Sequence, residues 1–142
     1  MANELLVTKE LNREMIDAGS SLVAEMESQG FDATAILWLY FEEYETWRMV
    51  IASTDVDRLG RKSVYQRIRQ ILVGMKNDSR GLKLSDIAAV GETASPVLAL
   101  RRRASKLGGV EEGRVSGSVA GEYIVDSYVY KVKPLEAGPK KG

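Results

Sequence analysis

Between Ala33 and Ser53 the chain reads ATAILWLYFEEYETWRMVIAS, two apolar runs around an acidic connection, and no other stretch constrains the fold as tightly. In an extended strand successive side chains point to opposite faces. Ala33, Ala35, Leu37, Leu39 and Phe41 therefore share one face, and Ile36, Trp38 and Tyr40 share the other. Glu42-Glu43-Tyr44-Glu45 has the length of a hairpin loop. Thr46 to Ser53 then returns as a second strand, with Trp47, Met49 and Ile51 opposite Arg48, Val50 and Ala52. A strand that is apolar on both faces is either central and covered twice, or it keeps one face for a partner.

The flanking segments supply covers. Residues 4–29 read as one amphipathic helix, with Leu11, Met15, Ala18, Leu22 and Met26 at three- and four-residue spacing. Asn3 suits its cap, and Gly30 followed by Phe31 suits its end. Such a helix is about 39 Å long, more than a small core needs, so it bends at Gly19-Ser20-Ser21, overhangs the domain or meets another subunit. A second helix is predicted over 60–76, with Val64, Ile68, Ile71, Leu72 and Met75 inward. Residues 82–90 read as a short strand, and a third helix opens at Ser95-Pro96 and runs to Lys106 before Gly108-Gly109. Gly113 to Lys133 alternates as a hairpin turning at Gly121-Glu122, with Ile124, Tyr128, Tyr130 and Val132 on one face and Val125 and Val129 on the other.

The order α-β-β-α-β-α-β-β predicts an α+β two-layer sandwich, a mostly antiparallel five-stranded sheet with three helices. Residues 1–133 form the expected single domain and 134–142 a flexible tail. Three helices exceed what one face of such a sheet holds, since helices sit about 8–10 Å apart.

Composition then narrows the chemistry. The chain has neither cysteine nor histidine, which removes thiol nucleophiles, thiolate metal sites and the commonest general base. No serine stands in a nucleophile-elbow or Ser-x-x-Lys arrangement. The expectation is a non-enzymatic protein with no metal and no cofactor. Glu42, Glu43 and Glu45, and separately Asp55 and Asp57, are the acidic groups that an oxygen-loving cation would need, but loop and helix-start chemistry explains both. No targeting segment and no membrane span is read in the chain, so a cytoplasmic location is expected.

Zero net charge conceals an asymmetry. Residues 1–57 hold 3 Lys/Arg and 12 Asp/Glu, and residues 58–142 hold 17 and 8, giving −9 and +9. Scattered charges of this kind first suggest halves of one domain attracting each other, and second a charged partner. Two kinds of partner are expected. The first is another protein or a second copy of the chain, met through Trp38, Tyr40 and Trp47 on an open sheet face or through Leu22 on the first helix, because large exposed apolar patches mark interaction sites. The alternative is nucleic acid, met by Lys62 and Arg69 of the second helix with Arg101, Arg102, Arg103 and Lys106 of the third. A pI of about 6.4 weighs against that alternative.

Overall fold

The computed structural model describes residues 10–135. In chain order the elements are α1 (Arg13–Ser28), β1 (Ala35–Phe41), β2 (Thr46–Ala52), α2 (Thr54–Leu59), α3 (Arg61–Met75), β3 (Ile87–Val90), α4 (Val97–Leu107), β4 (Gly113–Arg114), β5 (Gly117–Val119), β6 (Glu122–Ile124) and β7 (Ser127–Val132). This is an α+β fold in which a five-stranded sheet packs against helices, as the alternation predicts. The strand order is β3-β2-β1-β7-β4, with β5 and β6 paired separately. β2 and β3 run parallel, and the remaining pairs are antiparallel, so the sheet is mixed.

The first hairpin forms as its pattern dictates. Ala35 lies opposite Ala52 and Phe41 opposite Thr46, leaving Glu42–Glu45 as the connection. Tyr44 N–H donates to the Phe41 carbonyl at 3.2 Å, and Glu45 takes a left-handed φ of 51° to bring the chain back.

β1 is central, and this chain covers both of its faces. On one side Ile36 and Trp38 meet Trp47, Met49 and Ile51 of β2, Leu22 and Met26 of α1, and Val64, Ile68 and Ile71 of α3. On the other side Leu37 and Leu39 meet Val50, Val97, Leu100 and Ala104 of α4, and Val119 and Ile124 of the small hairpin. Each fully buried side chain of this size contributes about 1.5–3 kcal/mol. The surplus helix is thereby placed: α1 and α3 share one face, and α4 takes the other.

Several boundaries differ from the sequence reading. Asn12 ends the run-in to α1, its side-chain oxygen accepting from Met15 N–H at 2.8 Å, and Glu10 and Leu11 before it are not helical. The helix therefore measures about 24 Å, shorter than the predicted one of about 39 Å. The expected cap at Asn3 and the first turns of the predicted helix lie outside the described residues, as do residues 136–142 of the predicted tail. Pro134 and Leu135, also assigned to that tail, are held: Arg101 donates to the Pro134 carbonyl at 3.1 Å, and Leu135 N–H donates to Ser105 Oγ at 2.8 Å. Residues 82–90 divide into a short 3-10 turn at Leu84–Asp86 and the strand β3. Gly113–Lys133 is two units instead of one hairpin, because Ala120 and Gly121 turn β5 into β6 while β4 leaves to pair with β7.

β7 contains a bulge. Ile36 pairs with Lys131 and Leu37 with Val129, so Tyr130 is the extra residue. A bulge reverses the alternation beyond it. Tyr128 and Tyr130 therefore pack with the Trp38 cluster, while Val132 joins Val129 on the opposite face, against the sequence expectation.

Candidate functional site

The residues expected on an open sheet face lie largely inside the chain. Trp38 is 2% exposed, Trp47 8% and Leu22 0%. Tyr40 is half-buried, tilted against Trp47 with ring centroids 5.4 Å apart. Trp38 points its indole N–H inward to the Met15 carbonyl (3.2 Å) and the Tyr130 hydroxyl (3.0 Å). Tyr130 in turn donates to the Ile16 carbonyl at 2.6 Å. Burial pushes the Tyr130 phenol well above its usual range, partly offset by the hydrogen bond from Trp38. This network ties β7 and β1 to α1.

The basic residues do not form one surface. Lys62 and Arg69 belong to α3 and Arg102, Arg103 and Lys106 to α4, and these helices pack on opposite faces of the sheet. Arg101 is only 5% exposed and holds the Glu92 carboxylate and the carbonyls of Lys133 and Pro134 at 3.0–3.1 Å. It is a clamp on the end of β7, removed from any phosphate-binding set. Among the acids, Asp55 accepts from Arg58 at 2.7 Å and lies in the first turn of α2, whose cap is Ser53. No group of three or more acidic side chains positioned to hold a metal ion occurs among the described residues.

What the structure does assemble is a cleft beside the start of α1, of about 870 Å³. Met15 and Ala18 form one wall, Trp38 and Trp47 the sheet side, and Leu82 the far side. Glu10, Glu14 and Asp86 stand at its rim, and among the described residues Arg80 is the one cation there. A second hollow of about 370 Å³ shares Glu10 and Trp47 and continues past Tyr40 to Arg114 and Asp126. The Arg114 guanidinium stands 5.9 Å from the Trp47 ring centroid and pairs with Asp126, which holds it protonated. The floor is apolar and aromatic, and the rim of the larger hollow is mainly acidic.

Sequence reasoning found Trp38 and Trp47 but missed the rim. Met15 and Ala18 carry the same helical spacing as true core positions, and Arg80 and Asp86 lie in turns where no periodicity marks them. The place where α1 begins, at Asn12, is what brings Glu10 and Glu14 to this corner.

The exposed edge of β3 is closed by side chains. Tyr65 Oη accepts from Ala89 N–H at 2.9 Å, Arg61 Nε donates to the Ala89 carbonyl at 3.1 Å, and Arg48 donates to the Ile87 carbonyl at 3.2 Å. A partner strand cannot add there without displacing them. Among the described residues no helix is long and apolar enough to cross a membrane. No known family, curated protein or solved structure matches the chain.

Proposed function

We propose that this chain is a non-enzymatic protein-interaction module that recognises a partner segment in the cleft between α1 and the β1–β2 hairpin. The observation that carries the reading is the pairing of an apolar floor, Met15, Trp38, Trp47 and Leu82, with an acidic rim, Glu10, Glu14 and Asp86. Met15 is the half-buried apolar residue of the floor, with Trp38, Trp47 and Leu82 recessed behind it, and rim charge sets orientation and rate of encounter. The occupant is a short stretch of polypeptide with a large apolar side chain between basic residues. The lack of histidine and cysteine supports a binding role over a chemical one. The cations of α3 and those of α4 lie on opposite faces of the sheet, which supports the protein reading over the nucleic-acid alternative.

The test is titration of a fluorescein-labelled pentapeptide, two lysines on each side of a central phenylalanine, followed by fluorescence polarisation. Saturable binding is expected, weakened several-fold by Glu14→Lys and by replacing the phenylalanine with alanine. Binding indifferent to the central residue, or no binding, contradicts the reading.

A further inference from the structure

Two exposed features, one at the hairpin tip and one on the outer side of α4, complement each other. The first is the tip of the β1–β2 hairpin. Glu42, Glu43 and Glu45 are exposed there, and Tyr44 between them is 68% exposed. The second is a groove of about 670 Å³ along the outer side of α4, lined by Arg102, Arg103, Lys106, Leu107, Ala120 and Leu135. Among the described residues it has an apolar floor, three cations and no acidic lining residue. Leu107 is itself 65% exposed. None of the three glutamates or the three cations takes part in an ion pair among the described residues.

A chain cannot bring its own tip to its own groove. The tip follows Phe41, at one end of β1. The groove lies at the other end, where Ala35 pairs with Val132 and Arg101 fastens α4 to Lys133 and Pro134 just before Leu135. Seven residues of strand separate those ends, a distance of about 23 Å at 3.3 Å per residue.

We propose that the hairpin tip of one copy docks into the α4 groove of a second copy, Tyr44 entering the apolar floor and the three glutamates facing Arg102, Arg103 and Lys106. The occupant is a second copy because the chain itself presents the matching chemistry, an exposed aromatic ringed by as many acids as the groove has bases. Tip and groove are different surfaces, so the contact is heterologous and each bound copy leaves one tip and one groove free. Copies therefore add head to tail, and the opposite charges of the two chain halves meet between molecules. This inference goes beyond the cleft reading and does not depend on it.

Sedimentation velocity of the full chain across a concentration series tests it. Mass is expected to rise with concentration beyond a dimer and to fall back when salt is raised from about 0.05 to 0.5 M, since the contacts are exposed ion pairs. A tip variant (Glu42→Gln, Glu43→Gln, Tyr44→Ala, Glu45→Gln) and a groove variant (Arg102→Gln, Arg103→Gln, Lys106→Gln) should each be monomeric. Mixed in equal amounts they should form a dimer and nothing larger, because one intact tip and one intact groove remain between them. Circular dichroism of both variants checks that the fold is kept, as expected for exposed positions. A wild-type chain that is monomeric throughout, association unchanged in either variant, or a mixture that stays monomeric overturns the proposal. The assay contains no cleft ligand, so its failure leaves the cleft reading standing.

Discussion

Gly19→Ala is expected to destabilise this protein, although the same exchange in an ordinary helix stabilises it. In the middle of α1, alanine gains about 1 kcal/mol over glycine from helix propensity alone. A methyl at Gly19, however, would lie 2.2 Å from Tyr130 Oη, 2.7 Å from Cζ and 2.9 Å from Cε2. The ring must move, and moving it breaks the 2.6 Å hydrogen bond to the Ile16 carbonyl and the 3.0 Å bond accepted from Trp38. Overpacking costs about 1–3 kcal/mol, and each lost buried hydrogen bond about 1 kcal/mol. Trp38 retains the Met15 carbonyl as a partner, which limits the loss. The balance is a destabilisation of about 1–3 kcal/mol. Urea unfolding followed by tryptophan fluorescence measures it, with an unchanged slope against denaturant showing that stability alone has moved. In a Tyr130→Phe background the hydroxyl is gone, the ring has no hydrogen bonds to lose, and the cost of Gly19→Ala should shrink by at least about 1 kcal/mol. A Gly19→Ala protein as stable as wild type, or equal costs in the two backgrounds, would refute the latch between α1 and β7.

Other consequences follow from the same contacts. Tyr130 is neutral in the fold, with its ionisation displaced upward, so its contribution is complete below the unfolded value of about 10 and is lost as pH rises above it. Alkaline denaturation should accordingly be less steep in Tyr130→Phe than in wild type. Arg101→Met should cost about 2–4 kcal/mol, since it strands the Glu92 carboxylate and two carbonyls. Arg101→Lys should not restore that loss, because an ammonium lacks the planar fork that reaches all three acceptors, and hydrogen exchange at the end of β7 reads the fraying directly. Ala120 adopts φ of 46° in the two-residue turn before Gly121, so Ala120→Gly should gain up to about 1 kcal/mol in thermal or urea unfolding. Lys133 holds the Asp32 carboxyl below its usual range through a hydrogen bond and its charge. That small surface contribution is present above the unfolded carboxylate value and lost as pH falls through the depressed one, and Lys133→Met should return the Asp32 titration, followed by NMR, to the ordinary range.

Much of the fold could be read from periodicity. The two-sided apolar pattern of Ile36 to Phe41 allows a central strand or one with a face kept for a partner, and the first is what forms. The stripe of α3 names its buried residues, whereas that of α4 names Val97, Leu100 and Ala104 but also Leu107, which is 65% exposed. What periodicity could not show was which covers fell on which face. Trp38 looked like an exposed patch only because α1 and α3 could not be placed over it from sequence. Gly19 looked like a bend, whereas it admits Tyr130, and no local signal joins residues so far apart in the chain. The bulge at Tyr130 was equally hidden, because one extra residue in a strand leaves composition unchanged while reversing the face of Val132. Arg101 read as one of three surface arginines, yet its position on the inward side of α4 makes it a clamp. For the site, the tryptophans stood out by type, but the acidic rim depends on where α1 begins and on turns at Arg80 and Asp86, which carry no pattern.

The claim that the cleft is the recognition surface is tested most directly at its methionine. Of the chain's 5 methionines, Met15 lines the cleft, while Met26, Met49 and Met75 are buried elsewhere in the same core. With the methionine methyl groups labelled with carbon-13, titration of the lysine-flanked phenylalanine peptide should shift the Met15 signal in a saturable way and leave Met26, Met49 and Met75 in place. A Met15 signal that stays fixed while the peptide binds, or equal movement of all four, would contradict recognition at this cleft.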